Sequence, residues 1–188
     1  MRVNVIGTSG SGKTTFGRQL AEILEIPFIE MDAIFWGPNW QPMADKDLLS
    51  RLAEALDGDH WVLDGNYSRT TPLKWSRVEI VIWIDFSFPR TLCQAICRAV
   101  QRLVSQEELW PGTGNREKLS MLFSKESIVL WTITTYNRRR KQIINRMDAP
   151  EYQHIKFHHL RSPAETAAYL DAVRLDPAAC FTGAQSAG

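Results

Sequence analysis

The chain has little of what marks a secreted, membrane-bound or nucleic-acid-coating protein. It has three cysteines, Cys93, Cys97 and Cys180: an odd number, without framework spacing or a CxxC pair. A disulfide scaffold is thereby excluded, and a reducing compartment, the cytoplasm, is expected. Cys93 and Cys97 lie one helical turn apart, but without clustered histidines they read as buried thiols rather than metal ligands. No apolar run approaches the roughly 20 residues of a membrane span, and Asn4 and the glycines behind it interrupt any signal-peptide core. Charge of one sign is also missing, since 22 basic residues face 21 acidic ones for a net charge of +1. No global field then favours a duplex or an anionic membrane, and Arg138-Arg139-Arg140-Lys141 is too short to bind nucleic acid directly. Repeats and low-complexity tracts are absent. With 44% apolar residues in 188, one domain over residues 1–175 is expected, followed by a small, polar, poorly ordered tail over 176–188.

What is present begins at residue 7. After the apolar run Val3 to Ile6 comes Gly7-Thr8-Ser9-Gly10-Ser11-Gly12-Lys13-Thr14-Thr15, a G-x-x-x-x-G-K-T phosphate-binding loop. Its glycines let successive backbone N–H groups wrap an anion at a helix N-terminus. Lys13 adds a charge that can follow the β- and γ-phosphates of ATP, and the Thr14 hydroxyl is placed to ligate Mg²⁺. The helical spacing of Phe16, Leu20, Ile23 and Leu24 supports the strand–loop–helix context that the motif needs.

Strand patterns recur at about 2–6, 27–31, 60–64, 78–85 and 154–159, separated mostly by helical patterns at 13–24, 45–56, 89–104, 119–146 and 163–173. Runs that are apolar throughout, such as 78–84, suit strands covered on both faces. The rhythm predicts an α/β fold with a parallel sheet of about five strands and helices on both faces. In such sheets function gathers beyond the carboxyl ends of the strands, which selects the loop, Asp32, Asp64 and Asp85. Residues 105–119 lack periodicity and read as a mobile lid. Arginines surround it: Arg98 and Arg102 on one helix face, Arg116, then Arg138, Arg139 and Arg140. They are either a solvated face or cations that close over a migrating phosphoryl group.

Neither N-K-x-D nor D-x-x-G occurs, which disfavours a regulatory GTPase. Asp64 and Asp85 lack the following glutamate of water-activating ATPases, so transfer to a bound acceptor is favoured over hydrolysis. The loop, Asp32 with Trp36 and Trp40, the string Asp64-Gly65-Asn66-Tyr67-Ser68, Arg98 with Arg102, and 160–165 together resemble the adenylate kinase-like branch of small P-loop kinases. The resemblance is closest to the DNA topology modulation proteins. It implies a three-layer P-loop NTPase fold, an acceptor-binding insert over about 33–56, an arginine-bearing lid, and ATP with Mg²⁺ as co-substrates. It also implies Asp64 near the magnesium beside Thr14, and Ser162 near the nucleotide.

Adenylate kinases carry Asp-Gly-Phe-Pro-Arg where this chain has Asp64-Gly65-Asn66-Tyr67-Ser68-Arg69, a departure at the acceptor side. Asp32 would repel an acceptor phosphate but can orient or deprotonate a hydroxyl, a placement similar to that in nucleoside and shikimate-type kinases; equally it can cap a turn or pair with a lid arginine. Trp36, Trp40, Tyr67 and Trp75 offer stacking faces, or core packing. His154, His158 and His159 read as structural. The expected assignment is an ATP-dependent phosphotransferase with Lys13, Asp32, Arg98 and Arg102 in catalysis. Acceptor contacts are expected from Asp32, Trp36, Trp40, Asp64, Asn66, Tyr67, Arg116 and Arg138. The acceptor would be a nucleotide, nucleoside or other small hydroxyl compound, and the protein a monomer or homodimer. An ATP-binding regulatory protein is the alternative.

Overall fold

The computed structural model describes residues 1–118 and 128–182. β1 (Arg2–Gly7), β2 (Phe28–Glu30), β3 (Trp61–Asp64), β4 (Ile80–Ile84) and β5 (Lys156–Leu160) form one parallel sheet in the order β2-β3-β1-β4-β5. The helices among the described residues are α1 (Lys13–Leu24), α2 (Met31–Phe35), α3 (Asp45–Ala55), α4 (Thr71–Trp75), α5 (Phe88–Ser105), α6 (Ile128–Met147), α7 (Pro163–Leu175) and α8 (Ala179–Thr182). The expected helix over 119–146 is found from Ile128 onward; residues 119–127 lie outside the described ones.

Strand side chains alternate between faces, so a continuous apolar run feeds two cores. Trp61, Leu63, Val81, Trp83 and Phe157 pack with Leu48 and Leu52 of α3, Trp75 of α4 and Ile143 of α6. On the opposite face Val3, Val5, Val62, Ile80 and Ile82 meet Phe16 and Leu20 of α1 and Leu170 and Val173 of α7. The layers expected from sequence are therefore present. Because β1 lies centrally, its carboxyl end delivers the phosphate loop between the ends of β3 and β4.

The structure differs from expectation in three places. The tail is folded through Thr182: α8 buries Cys180 completely, and His158 Nε2 bonds the Cys180 carbonyl oxygen at 2.7 Å. Residues 183–188 lie outside the described ones. Cys93 and Cys97, read as buried thiols, are exposed on α5, because that helix turns Thr91, Ala95 and Ala99 inward instead. Directly after β2 the chain enters α2, which the sequence pattern did not announce, and Asp32 sits in its first turn.

Candidate active site

The phosphate loop is tied at both ends. The Ser11 N–H donates to the Thr8 carbonyl at 3.0 Å, and the Phe16 N–H reaches the Gly12 carbonyl at 3.0 Å, starting α1. Gly12 caps α1 at φ 85°, and Gly10 turns at φ 86°. A Cβ on Gly10 would stand 2.7 Å from the Thr91 carbonyl oxygen of α5, so glycine is required there for close approach as well as for its dihedral. The Ser11 hydroxyl is buried with no hydrogen-bond partner among the described residues, inside a loop built to surround an anion.

Asp64, at the end of β3, is buried and accepts the Thr14 hydroxyl on Oδ2 at 2.5 Å, while its Oδ1 is buried without a partner among the described residues. Burial pushes the Asp64 carboxyl above its usual range, opposed by Lys13 and the Thr14 bond and reinforced by Asp32 and Glu30. An orphaned carboxylate oxygen beside a hydroxyl and a phosphate loop is a donor set that suits a hard, oxygen-preferring cation such as Mg²⁺.

Asp32 is half-buried, and its Oδ1 accepts the Tyr67 hydroxyl at 2.7 Å; its Oδ2 takes no hydrogen bond among the described residues. Burial, followed by the Asp32 charge, raises the Tyr67 phenol far above its ordinary value, so it stays the donor. Asn66, expected at the acceptor, instead clasps the phosphate loop. Its Oδ1 accepts the Gly7 N–H at 3.0 Å and its Nδ2 donates to the Gly7 carbonyl. The side chain occupies both polar groups of one backbone unit, which are paired wherever they are buried.

The arginines separate once their positions are known. Arg98 of α5 reaches the loop, donating to Ser9 Oγ at 2.9 Å. Burial, then neighbouring Arg102, lowers its guanidinium pKa, yet an arginine stays charged near neutrality. Arg102 is half-buried nearby. Arg116, expected to point into the site, is exposed and donates to the Gln106 carbonyl at 2.7 Å. Arg138 is exposed on α6. Arg140 is claimed by Asp85, whose oxygens its Nε meets at 2.8 and 2.9 Å and its Nη2 at 2.8 Å, and His159 Nε2 adds a fourth contact at 2.8 Å. The cation at the phosphate loop thus comes from the helix preceding the lid, whereas the arginine on the lid's described part bonds the lid's own backbone.

Trp36 and Trp40 form a ladder of edge-to-face rings, Phe35–Trp36 at 4.7 Å, Trp36–Trp40 at 5.6 Å and Trp40–Trp110 at 5.6 Å, which joins the insert to the lid. Asn115 locks that contact, accepting the Trp40 N–H at 2.8 Å and donating to the Gly37 carbonyl at 2.9 Å. Trp110 Nε1 donates to Glu30 at 3.3 Å. Asn115 and Trp110 were not anticipated, since a Gly/Asn-rich stretch signals a turn but not what it docks on. Trp75 is core, with Nε1 donating to Asn4 at 3.0 Å. Ser162 is absorbed by the cap of α7, where its hydroxyl accepts the Glu165 N–H at 3.2 Å and donates to Oε1 at 3.0 Å; the capping box takes the group expected beside the nucleotide. Thr15 is exposed.

Comparison with known proteins follows the same geometry. The shikimate kinase family model matches residues 9–44, the stretch carrying Lys13, Thr14, Asp32, Trp36 and Trp40. A curated shikimate kinase of Thermosynechococcus vestitus is 26% identical over 120 residues, which cover 56% of this chain and 65% of that protein. The shikimate kinase structure from Aquifex aeolicus superposes with a TM-score of 0.53 at 17% identity, over 98% of this chain and 100% of the other. That from Bacteroides thetaiotaomicron gives 0.56 at 11%, over 93% and 97%. The fold is that of the shikimate kinases. A sugar kinase structure from Janibacter matches with a TM-score of 0.51 at 18% identity, over 95% and 96%. Among the described residues no helix is long and apolar enough to cross a membrane.

Proposed function

We propose that this chain transfers the γ-phosphoryl group of ATP to a hydroxyl of a small acceptor. The observation that carries the reading is Asp32: a carboxylate with one oxygen held by Tyr67 and the other unbonded, whose charge is felt by Asp64 and Arg98. Lys13 and Arg98 hold phosphate oxygens as charge redistributes. Thr14 and Asp64 would hold Mg²⁺, which would supply screening of the phosphate charge. Asp32 orients the acceptor hydroxyl and receives its proton as the new oxygen–phosphorus bond forms and the bond to the departing ADP breaks. Asn66 fixes Gly7, and the lid, latched to the insert by Asn115, excludes water that would waste ATP. The matched proteins named for shikimate and for a sugar favour a polyhydroxylated acceptor over a nucleotide, as does the Asp32 carboxylate, which repels a phosphate. The likeness to the DNA topology modulation branch rests on sequence alone: the phosphate loop, Asp32 with Trp36 and Trp40, Arg98 with Arg102, residues 160–165 and, most specifically, the string Asp64 to Ser68. Three cysteines without a disulfide among them support a cytoplasmic setting.

The test is incubation with ATP, Mg²⁺ and a panel of polyols, hydroxy acids, nucleosides and nucleoside monophosphates, with ADP and phosphorylated products followed. One acceptor is expected to be phosphorylated, and Asp32→Asn to lower kcat by about 10²–10³-fold while ATP binding persists. Undiminished transfer in Asp32→Asn removes Asp32 from the chemistry. Tight ATP binding with no acceptor phosphorylated overturns the kinase reading in favour of an ATP-dependent regulator.

A further inference from the structure

Beside the turn that follows β3, a cavity of about 20 Å³ opens between α4 and α6. Its lining includes Ser68, Thr71 and Lys74 from one side and Arg139, Gln142 and Arg146 from the other, and no carboxylate among the described residues. Lys74 is 1% exposed, and its ammonium makes one hydrogen bond, to the Gly65 carbonyl at 2.9 Å. The Thr71 hydroxyl is buried and has no hydrogen-bond partner among the described residues. Neither Lys74 nor Arg146 has an ion-pair partner among the described residues.

A buried ammonium is costly to desolvate unless it is paired, and gathering arginines around it adds repulsion. Burial, followed by Arg146, lowers the Lys74 pKa to about 7, with Arg139 adding to the repulsion and Asp64 opposing it. An unsatisfied hydroxyl donor on the same wall calls for an acceptor atom. The volume admits about one water-sized atom at its floor, with room for a larger group only at the mouth.

We infer that this cavity is an oxyanion subsite in which one oxygen of a phosphate or carboxylate group sits between Lys74, Thr71 and Arg146, with the rest of the group at the mouth beside Ser68 and Gln142. The subsite adjoins the phosphate loop through Ile6 and Asn66 but is lined by none of residues 7–14, and it stands whether or not the chain transfers phosphate. Its occupant is a free anion or the anionic end of a molecule reaching toward Tyr67, whose ionisation feels the charge of Arg139.

The probe is inorganic phosphate, titrated against thermal unfolding at constant ionic strength with chloride as the balancing salt. It is run in wild type and in Lys13→Ala, which disables the phosphate loop. Phosphate is expected to stabilise the Lys13→Ala protein, and its half-saturating concentration to rise at least 10-fold in Lys13→Ala carrying Lys74→Met or Arg146→Gln. A rise of about 3-fold to 10-fold is expected with Thr71→Val, an isosteric change that keeps the fold if Lys74→Met does not. The inference is overturned if phosphate gives no stabilisation in Lys13→Ala, or if its effect is the same with Lys74, Thr71 and Arg146 replaced. Where an acceptor is known, phosphate competing with it assigns the subsite to the acceptor's anionic end. Non-competitive behaviour assigns it to a free anion. Both require the subsite, and both vanish in Lys74→Met.

Discussion

Two aspartates stand in equivalent places: Asp64 just inside the end of β3 and Asp85 just past the end of β4, on either side of the strand that delivers the phosphate loop. Both are nearly inaccessible, yet they have opposite environments. At Asp85 burial would raise the pKa, but hydrogen bonds from His159 and Arg140 reverse that and hold the carboxyl below its ordinary value. All its charge is answered by the protein. At Asp64 burial prevails, and one oxygen has no partner. The residue type and fold position are shared, so the surrounding cations decide that one carboxylate braces the sheet edge and the other is kept for a ligand.

Neutralising each acid in turn separates the two roles by the largest effects. Asp64→Asn is expected to reduce phosphotransfer by about 10²-fold or more without lowering the melting temperature, because the fold loses a carboxylate it disfavours. Asp85→Asn is expected to cost about 2 kcal/mol of stability by leaving Arg140 and His159 without their carboxylate, with a smaller effect on turnover. A loss of stability in Asp64→Asn exceeding that in Asp85→Asn would refute the assignment.

Acid titration extends the contrast. Since the folded pKa of Asp85 is depressed, its contribution is present above the unfolded carboxylate value of about 3.9 and is lost as pH falls through the folded value. Asp64 acts in the opposite sense, so Asp85→Asn should flatten the acid limb of the stability curve and Asp64→Asn should not. Lys74 gives an alkaline counterpart. With its folded pKa near 7 and its unfolded one near 10.4, the unfolded chain binds the extra proton between these values, so stability rises with pH by up to about 1.4 kcal/mol per unit. Lys74→Met should remove that rise in a urea-unfolding series from pH 7 to 10.

Smaller effects test the lid and the cap. Asn115→Ala breaks the latch on Gly37 and Trp40 and is expected to raise acceptor KM about 5-fold and the ratio of ATP hydrolysed to product formed. Unchanged coupling would leave the latch without a role in excluding water. Ser162→Ala should cost about 1 kcal/mol through the lost cap, with the KM for ATP unchanged; a raised KM would return Ser162 to the nucleotide site.

Much of this was legible in the chain. The phosphate loop, the five strands and the placement of Asp32 and Asp64 at strand ends follow from short-range spacing, because a strand–turn–helix is written in neighbouring residues. The arginines were less legible. A charge run gives a helix face but not its rotation, so the spacing could put Arg98 ahead of Arg116, Arg138 and Arg140 but not show that one meets Ser9, one its own lid, one solvent and one Asp85. Likewise Trp36 and Trp40 could be seen as exposed aromatics in a loop, but not as rungs toward Trp110, some 70 residues further on.

The succession of the five strands and the longer helices, and the chemistry of the phosphate loop, could be read from short-range spacing, whereas the short helices α2, α4 and α8 could not, since dihedral preferences and apolar periodicity need more than a turn to show. Only the tertiary structure decided which charges are answered. Whether Asp64 keeps a free oxygen, Asp85 none, and Lys74 a cavity without a counter-ion depends on burial and on partners from β5, α4 and α6, and electrostatic free energy is set by the distance and solvent between groups, not by their separation along the chain.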